Sequence, residues 1–508
     1  MLSPLVRLLT RLAALSTLAG CAAASARTSA ASAPGSRRDA RAALRYTIDS
    51  LVDVPEFRNA HWGILVVDPA RGETLYTRNA DKLFMPASNQ KLLTGSTALT
   101  QLGPDFHWST TYLARGPQRA GVLEGDLVVR GTGDPSMSAH AYHGDALAPL
   151  RAVGDSLRAR GMTRIRGQLV AAPSPFTDAP LGYGWSWSEL DEPYSAGVDA
   201  LFFNEGFGEI VVRGGARAGD PATATSRPIS SYPALVLRVR TVARAMPGAS
   251  PADSMAALPV ITLERDSIRG TIVVSGTIAA GDSSVQELAY RDQPGAYLAA
   301  LGEALRASGI TIDAARTDTT ARLDSLLTTT SLPLREVMPL FEKPSQNQIG
   351  ELLFKTLALT KTGIGIADSA AQVVTRQLLA WGVQPDGFVV HDGSGLSRHD
   401  YVSPRTLVRV LDVMRQSPDF KLFYDALPIA GVDGTIRNRM RGTSAAGNVH
   451  AKTGTIDKAR SLSGYVTTAD GRLLLFSALC NNYTTPTRRV DQVTDALAIR
   501  LATLQLDR

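Results

Sequence analysis

Cysteine, long apolar runs and a surplus of charge are all scarce in this chain of 508 residues. Its two cysteines, Cys21 and Cys480, lie far apart, so a disulfide between them is not expected and Cys480 is predicted to be a buried small apolar residue. After residue 21 no stretch approaches the roughly 18 apolar residues of a membrane-spanning helix. The 53 basic and 47 acidic residues give a net charge of +6 without a basic run, which argues against nucleic acid as a partner.

The first 21 residues have the parts of an export signal. Basic residues precede the apolar run Leu12–Ala19, and Gly20-Cys21 follow. "LAGC" resembles a bacterial lipobox, which would make Cys21 the lipidated N-terminus of a membrane-attached protein; cleavage after Ala26 is the alternative. Export to the periplasm or cell envelope is expected in both cases. Residues 22–40, rich in Ala, Ser and Arg without periodicity, are predicted to be a flexible tether.

Helix and strand periodicities alternate in the two parts of the chain that flank its middle. β-Hairpins are predicted over 62–78 and around Asp470-Gly471. One helix is predicted to begin near Ser88 and to stop at Gly103-Pro104, and another covers Asn347–Leu359 with one apolar face. Together these elements predict an α/β fold in the broad sense, a mixture of helices and strands that belongs to the α+β class.

The middle of the chain has a different texture. From 105 to 289 short strands are separated by Gly, Pro and Ser turns, which is typical of β-rich modules. The simplest architecture is therefore one catalytic domain formed by 41–104 and 290–508, interrupted by a large β-rich insertion over 105–289.

Ser88-Asn89-Gln90-Lys91 has the Ser-x-x-Lys spacing at a predicted helix start. A capping serine followed by a solvated lysine would show the same pattern. A serine hydroxyl becomes a good nucleophile only when a neighbouring base takes its proton, and lysine is such a base only when its pKa falls. Burial, the positive end of the helix or a second nearby cation would each lower that pKa.

Lys-Thr-Gly occurs twice, at Lys361–Gly363 and at Lys452–Gly454. The first copy follows the 347–359 helix, where a cation suits the last turn and glycine suits the residue past the helix end. The second copy precedes two strand-like runs, so Lys452 is predicted to lie on an exposed strand of a sheet. There Gly454 would let a ligand come close. An edge-strand lysine beside a turn glycine is the alternative.

Ser345-Gln346-Asn347 precedes the 347–359 helix. Alone it fits an N-terminal cap in which Ser345 or Asn347 accepts a backbone N–H. It also offers a hydroxyl that can relay a proton and an amide that can hold a substrate. Ser-x-x-Lys, Ser-x-Asn and Lys-Thr-Gly in this order match the motif triple of penicillin-binding proteins and β-lactamases.

With these motifs, and with "GYGWSWSEL", "DGSGLSRHDYVSP" and "LPIAGVDGTIRNRM", the chain resembles the class C, low-molecular-mass penicillin-binding proteins. These are D-alanyl-D-alanine carboxypeptidases and endopeptidases of peptidoglycan. The resemblance extends from about residue 45 to the C-terminus. It implies a serine acyl-transferase fold, peptidoglycan stem peptides as substrate, inhibition by β-lactams and no cofactor.

The resemblance also implies roles for single residues. Ser88 would be the nucleophile, Lys91 its base, and Ser345 the relay that passes the proton to the leaving amine. Asn347 would hold the substrate amide. Lys452 and Thr455 would bind the substrate's terminal carboxylate and keep Lys91 neutral. Thr453 and Gly454 would be substrate-binding residues of the same strand. The backbone N–H groups of Ser88 and Thr455 would form the oxyanion hole.

Substrate recognition in the insertion departs from the pattern of several such proteins, in which an Asp shortly before a Phe binds the stem-peptide amine. Here Phe176 matches the Phe, but Ala172 occupies the Asp position, which leaves Asp178 as a candidate replacement. Arg398 in "GSGLSR" matches a residue of the same pocket, with a solvated loop arginine as the alternative. The seven histidines show no metal-ligand spacing, so no metal is predicted.

Two other functions stay open on the sequence alone. A β-lactamase or esterase would share the acyl-enzyme, although no second motif supplies the Glu that class A β-lactamases use for deacylation. A non-catalytic peptidoglycan-binding scaffold would not need an intact set of motif residues. The sequence therefore favours a serine-type D-alanyl-D-alanine carboxypeptidase or endopeptidase.

The two Lys-Thr-Gly copies make different predictions. Lys452→Ala is expected to abolish acylation of Ser88, because the active-site cation is lost. Lys361→Ala is expected to cost at most a little stability, because it removes only a helix-end charge. Labelling by a fluorescent penicillin and thermal unfolding of both variants measure the two effects. Equal labelling of both variants would contradict the assignment.

Overall fold

The computed structural model describes residues 37–506 except 246–254, 256–257, 267–269 and 317–319. The predicted signal segment and Cys21 lie outside the described residues. The tether predicted over 22–40 ends earlier than expected, since the first helix already begins at Arg37.

The α-helices of the described part are α1 Arg37–Val52, α2 Gln90–Leu102, α3 Ala148–Ala159, α4 Gln293–Ala307, α5 Leu334–Glu342, α6 Asn347–Thr362, α7 Ala367–Ala380, α8 Pro404–Gln416, α9 Phe420–Ala426 and α10 Thr487–Ala502. Within these ranges, none of the helices combines the length and apolar character that crossing a membrane requires.

The strands in chain order are β1 His61–Asp68, β2 Glu73–Arg78, β3 Ser109–Arg115, β4 Gln118–Arg119, β5 Val122–Leu123, β6 Asp126–Gly131, β7 Arg164–Ile165, β8 Leu169–Ala171, β9 Phe207–Arg213, β10 Thr223–Arg227, β11 Ala234–Val242, β12 Val260–Asp266, β13 Thr271–Ala279, β14 Ser283–Ala289, β15 Thr311–Ile312, β16 Leu323–Thr330, β17 Phe388–Val389, β18 Tyr401–Val402, β19 His450–Ile456, β20 Ala459–Thr467 and β21 Leu473–Asn481.

A five-stranded sheet in the order β19-β20-β21-β1-β2 is the centre of the fold. Every neighbouring pair in it is antiparallel. Both predicted hairpins are confirmed, as the β1–β2 and β20–β21 pairs. Lys452 lies on β19 at one edge of this sheet, as predicted.

Two hydrophobic cores cover the two faces of the sheet. On one face, α2, α6, α7 and α8 pack against inward residues such as Leu65 and Leu475. On the other, α1 and α10 pack against Ile64 and Phe476. Because side chains alternate along a strand, sheets covered on both faces need apolar residues at nearly every position. Cys480 is fully buried in the second core, which confirms its prediction as a small apolar residue.

The helices that carry the motifs begin and end close to their predicted positions. Ser88 lies in a 3₁₀ turn, Ala87–Asn89, that leads into α2. Helix α6 ends at Gly363, whose φ of 79° is left-handed, with Lys361 in the last turn. This confirms that the first Lys-Thr-Gly copy is a helix end. The predicted cap is wrong in one detail, because Gln346 rather than Ser345 or Asn347 accepts the N–H of Gln348.

The insertion contains the small sheets β16-β3-β6-β8, β15-β7-β5-β4, β10-β9-β14 and β11-β13-β12. Its largest core joins strands β3 and β6 to helices α3 and α4. Strand β16, at 323–330, pairs with β3. Both α4 and β16, which follow residue 289, therefore pack with strands and helices of the predicted insertion, whose boundaries stay a prediction.

Candidate active site

Four chain segments meet at a cavity of about 460 Å³. They are the turn before α2, the segment before α6, strand β19 and the loop 392–398. Five of the predicted site residues line this cavity: Ser88, Ser345, Asn347, Thr453 and Thr455. Lys91 and Lys452 lie directly behind the wall, each fully buried.

Lys91 is held by three oxygen atoms. Its Nζ lies 2.8 Å from Ser88 Oγ, 2.7 Å from Asn347 Oδ1 and 2.7 Å from the carbonyl oxygen of Ser394. The Asn347 Oδ1 assignment is fixed by the other end of the amide, since Nδ2 donates to the Tyr194 carbonyl at 2.8 Å. Two of the three partners of Lys91 are thus oxygens that can only accept.

This set of partners suits a neutral amine. A neutral lysine has two N–H groups and one lone pair, and the N–H groups match Asn347 and Ser394. The lone pair then points at Ser88 Oγ, where it can take the hydroxyl proton. Burial holds the pKa of Lys91 well below its ordinary value of 10.5, and the charge of Lys452 lowers it further.

The loop that supplies the Ser394 carbonyl is fixed by buried carboxylates. Glu351 on α6 accepts the N–H groups of Gly393 and Ser394, at 3.2 and 2.9 Å. Asp392 accepts the N–H groups of Gly395 and Ser397, each at 2.7 Å. These contacts fix the position of the Ser394 carbonyl, the third hydrogen-bond partner of Lys91.

Side-chain hydrogen bonds join strand β19 to the turn that carries Ser88, Ala87–Asn89. Asn89 Nδ2 donates to the Lys452 carbonyl at 2.9 Å, and Ser461 Oγ on β20 donates to the Pro86 carbonyl at 2.7 Å. The Lys452 ammonium donates to Ser345 Oγ at 2.7 Å. Burial lowers the pKa of Lys452 from 10.5 to about 8, opposed by the charge of Glu342.

Gly454 is required for the close contact between β19 and the turn that carries Ser88. A Cβ on this residue would lie 2.5 Å from the Pro86 carbonyl oxygen and 3.0 Å from Ser88 N. A Cβ would also lie within contact distance of Ser461 Oγ, so this glycine makes room for the turn that carries Ser88; that it also lets a ligand come close stays a prediction. The same contact brings Ser88 N beside the strand that carries Thr455, which supports the predicted oxyanion hole.

Two residues at the site have left-handed backbone conformations. Ala87, which precedes Ser88, has φ of 48°, and Ser345 has φ of 65°. For residues other than glycine such conformations cost about 1 kcal/mol or more and persist where the surroundings enforce them. Both therefore mark places where packing dictates the position of a reactive hydroxyl.

The insertion positions the Ser-Gln-Asn motif. Gln346 Nε2 donates to Glu205 Oε2 at 3.2 Å, and Glu205 Oε1 also binds His140 Nδ1 at 2.9 Å. Gln348 Nε2 donates to the carbonyls of Pro193 and Ala196, at 3.2 and 3.1 Å. A role of this kind for Gln346 could not be read from the motif, because its partners lie more than 140 residues away.

Of three candidates from the insertion and its neighbour loop, two lie away from the cavity. Phe176 packs in a separate apolar cluster with Val198, Phe202 and Leu352, so the structure does not bring it to the cavity. Asp178 is engaged by Lys355 and by the N–H of Ala367 and cannot replace the missing Asp. Arg398 Nη1 donates to the carbonyl of Asp457 at 3.4 Å, and Asp457 lines the cavity; the role of Arg398 in substrate binding stays a prediction.

Sequence reasoning missed several residues of the cavity wall. They include Glu189, Tyr194, Asp457 and Tyr483. Glu189 lies within the quoted "GYGWSWSEL" and Tyr194 follows four residues after that stretch ends, but the sequence analysis gave neither residue a role. Among the described residues, no group of three or more His, Cys, Asp or Glu side chains is arranged to hold a metal ion.

Comparison with known proteins agrees with this arrangement. The sequence profile described as "D-Ala-D-Ala carboxypeptidase 3 (S13) family" matches residues 44–504. The D-alanyl-D-alanine carboxypeptidase of Actinomadura sp. (strain R39) is 35% identical over 479 residues, which is 90% of this chain and 84% of that protein. The D-alanyl-D-alanine carboxypeptidase DacB of Haemophilus influenzae is 27% identical, covering 85% of this chain and 87% of that protein.

A solved structure shares the fold. The crystal structure of penicillin binding protein 4 (dacB) from Haemophilus influenzae superposes with a TM-score of 0.72 at 24% sequence identity. The match covers 90% of this chain and 99% of that chain. A second crystal structure of that protein, complexed with a β-lactam, gives a TM-score of 0.68.

Gly454→Ala is expected to slow acylation by a fluorescent penicillin by roughly 10- to 100-fold, because the added methyl pushes β19 away from Ser88. We expect a loss of about 1–3 kcal/mol of unfolding free energy with it. Gly363→Ala, in the other Lys-Thr-Gly copy, is the matched control. Its Cβ meets nothing within 4 Å, so only backbone strain is added and acylation stays at the wild-type rate. Wild-type acylation by Gly454→Ala would show that the close contact is unimportant.

Proposed function

The chain belongs to the D-Ala-D-Ala carboxypeptidase 3 (S13) family of serine peptidases, and on that premise we propose that Ser88 is the nucleophile with which it removes the terminal D-alanine of peptidoglycan stem peptides. The observation that carries this proposal is the environment of Lys91. A fully buried lysine whose partners leave its lone pair 2.8 Å from a serine hydroxyl has the geometry of a general base.

Acylation begins when Lys91 takes the Ser88 proton and Oγ attacks the carbonyl between the two D-alanines. The oxyanion that develops is stabilised by the N–H groups of Ser88 and Thr455. The C–N bond breaks as the proton passes through Ser345 to the leaving amine. Water then attacks the ester carbonyl while Lys91, neutral again, takes one of its protons. The ester C–O bond breaks as Lys91 gives that proton to Ser88 Oγ, which restores the free enzyme.

The positive charge of Lys452 holds the substrate in place through its terminal carboxylate. Lys452 and Thr455 bind the terminal carboxylate, Thr453 and Gly454 complete the strand beside it, and Asn347 donates to the substrate amide. The crystal structure of the Haemophilus influenzae protein complexed with a β-lactam supports the binding of penicillins here, which would then acylate Ser88. A peptidoglycan substrate also agrees with the export signal predicted at 1–21 and with a place in the cell envelope.

Glu189 is the residue that recognises the amine of the stem peptide. Glu189 lines the cavity, and no ion pair of its carboxylate is found among the described residues, unlike that of Asp457, which lies near Arg398 and Lys458. An unpaired anion on the wall of a peptide-binding cleft favours a cationic side chain in the ligand. Glu189 thus fills the role that the sequence assigned to the position of Ala172.

The nucleophile is tested with a purified muropeptide that carries both a pentapeptide and a cross-link. Wild-type enzyme is expected to release D-alanine from the pentapeptide, and Ser88→Ala to lose roughly 10⁴-fold or more of that rate. Ser50→Ala, an exposed serine on α1, is the matched control. Mass spectrometry of the products separates D-alanine release from cleavage of the cross-link.

Three results would contradict the proposal. Release that survives Ser88→Ala excludes this nucleophile, and absence of release by the wild type favours a binding scaffold. Rapid turnover of penicillin without peptide cleavage favours a β-lactamase.

Glu189→Gln is expected to lower turnover of a pentapeptide with a free side-chain amine by roughly 10-fold or more, because a charged hydrogen bond is lost. The same peptide with that amine acetylated should be cleaved equally by the variant and the wild type. Glu192→Gln, three residues away and exposed, is the control. An equal loss on both peptides would mean that Glu189 does not read the amine.

A further inference from the structure

Glu342 is a buried carboxyl group that the motif triple does not include. It is the last residue of α5, three positions before Ser345, and its side chain is fully buried. Neither of its carboxyl oxygens has a hydrogen-bond partner among the described residues. A buried carboxyl without partners is costly, so its surroundings should explain why it is there.

The carboxyl of Glu342 lies against α2, the helix that carries Lys91. A Cβ on Gly95 would lie 2.8 Å from Glu342 Oε1, and Gly95 is one helical turn beyond Lys91 on the same face of α2. The charges that act on the Glu342 carboxyl are those of Lys452, from β19, and Lys91, from α2. Burial raises the pKa of Glu342 to about 7, and both lysines oppose that rise.

Other charged groups nearby have partners of their own. Glu351 and Asp392 accept backbone N–H groups of the 393–397 loop. Lys343, next to Glu342 in the chain, donates to Asp433 and to the Leu427 carbonyl. Glu342 therefore differs from these groups, because its surroundings offer it charge but no hydrogen-bond donor within reach.

Glu342 carries a negative charge that can offset the repulsion between the two buried lysines. Two cations buried side by side repel each other, and desolvation drives both towards the neutral amine. The proposed reaction needs an unequal pair, with Lys91 neutral as the base and Lys452 cationic for the substrate carboxylate. One buried anion beside the pair stabilises one proton on the two lysines.

We propose that Glu342 is a positioning residue, the buried counter-ion that keeps Lys452 protonated while Lys91 stays neutral, and that its charge also favours the transient ammonium form of Lys91 during acylation. This rests on the proposed function of Ser88, Lys91 and Lys452. Glu342 neither gains nor loses a proton in the step, since the proton moves from Ser88 Oγ to Lys91 Nζ and then through Ser345 to the leaving amine.

The test is the pH dependence of Ser88 acylation by benzylpenicillin, measured as a second-order rate constant. In the wild type the rate falls at alkaline pH as Lys452 loses its proton, near its pKa of about 8. Removing a neighbouring anion destabilises an ammonium group and so lowers its pKa. In Glu342→Gln this alkaline limb should therefore move to lower pH, by about one unit or more.

Three further variants make the result specific. Glu342→Met removes the charge without adding an unpaired polar group, so it serves if Glu342→Gln folds poorly, and it should show the same shift. Glu342→Asp keeps the charge and should leave the limb near its wild-type position even if the rate drops. Glu336→Gln removes an exposed carboxylate from the same helix and should change nothing.

The outcomes separate the two proposals. An alkaline limb that stays in place in folded Glu342→Gln or Glu342→Met overturns the role of Glu342, even if the rate falls, because a purely structural contact would lower the rate at every pH. A wild type that penicillin does not acylate at Ser88 overturns the proposed function and this inference with it. A shift of the alkaline limb in Glu342→Gln and Glu342→Met, without a shift in Glu342→Asp and Glu336→Gln, supports both proposals.

Discussion

The burial of Lys91 is the constraint on which the rest of the site depends. A lysine in water is an ammonium ion and cannot take a proton from serine. Here its Nζ is enclosed by Ser88 Oγ, Asn347 Oδ1 and the Ser394 carbonyl. These surroundings favour the neutral amine, and its lone pair then points at Ser88 Oγ. Each of these three oxygens comes from a different segment of the chain, which is why the whole fold is needed to make one base.

The architecture can be understood as a means of bringing those segments together. Helix α2 starts at the turn that carries Ser88, and α6 starts at the motif that carries Asn347. The central sheet presents β19 at its edge, where Asn89 and Ser461 join it to the turn that carries Ser88. The insertion adds the Tyr194 carbonyl, which fixes the Asn347 amide. It therefore contributes to the geometry of the base as well as to the cavity wall.

The parts predictable from sequence were those encoded locally. Spacing within a helix places Ser88 beside Lys91, and a helix end explains Lys361 and Gly363 without tertiary information. Contacts between distant segments were not encoded in this way. The contact of Gly454 with Pro86, and the packing of Phe176 away from the cavity, depend on how separate elements dock. Glu342 could not be predicted for the same reason, because nothing in "FEKPSQN" reveals that its carboxyl would be buried against the helix that carries Lys91.

The most direct test of this account is an NMR titration of the lysine side chains, labelled with ¹³C at Cε. The chain has only eight lysines, at positions 82, 91, 343, 355, 361, 421, 452 and 458, so the signals can be assigned by single Lys→Arg variants. The account predicts that Lys91 titrates well below 10.5, the ordinary value for lysine, and below Lys452. A Lys91 signal that titrates near 10.5 would contradict the neutral base on which the mechanism relies.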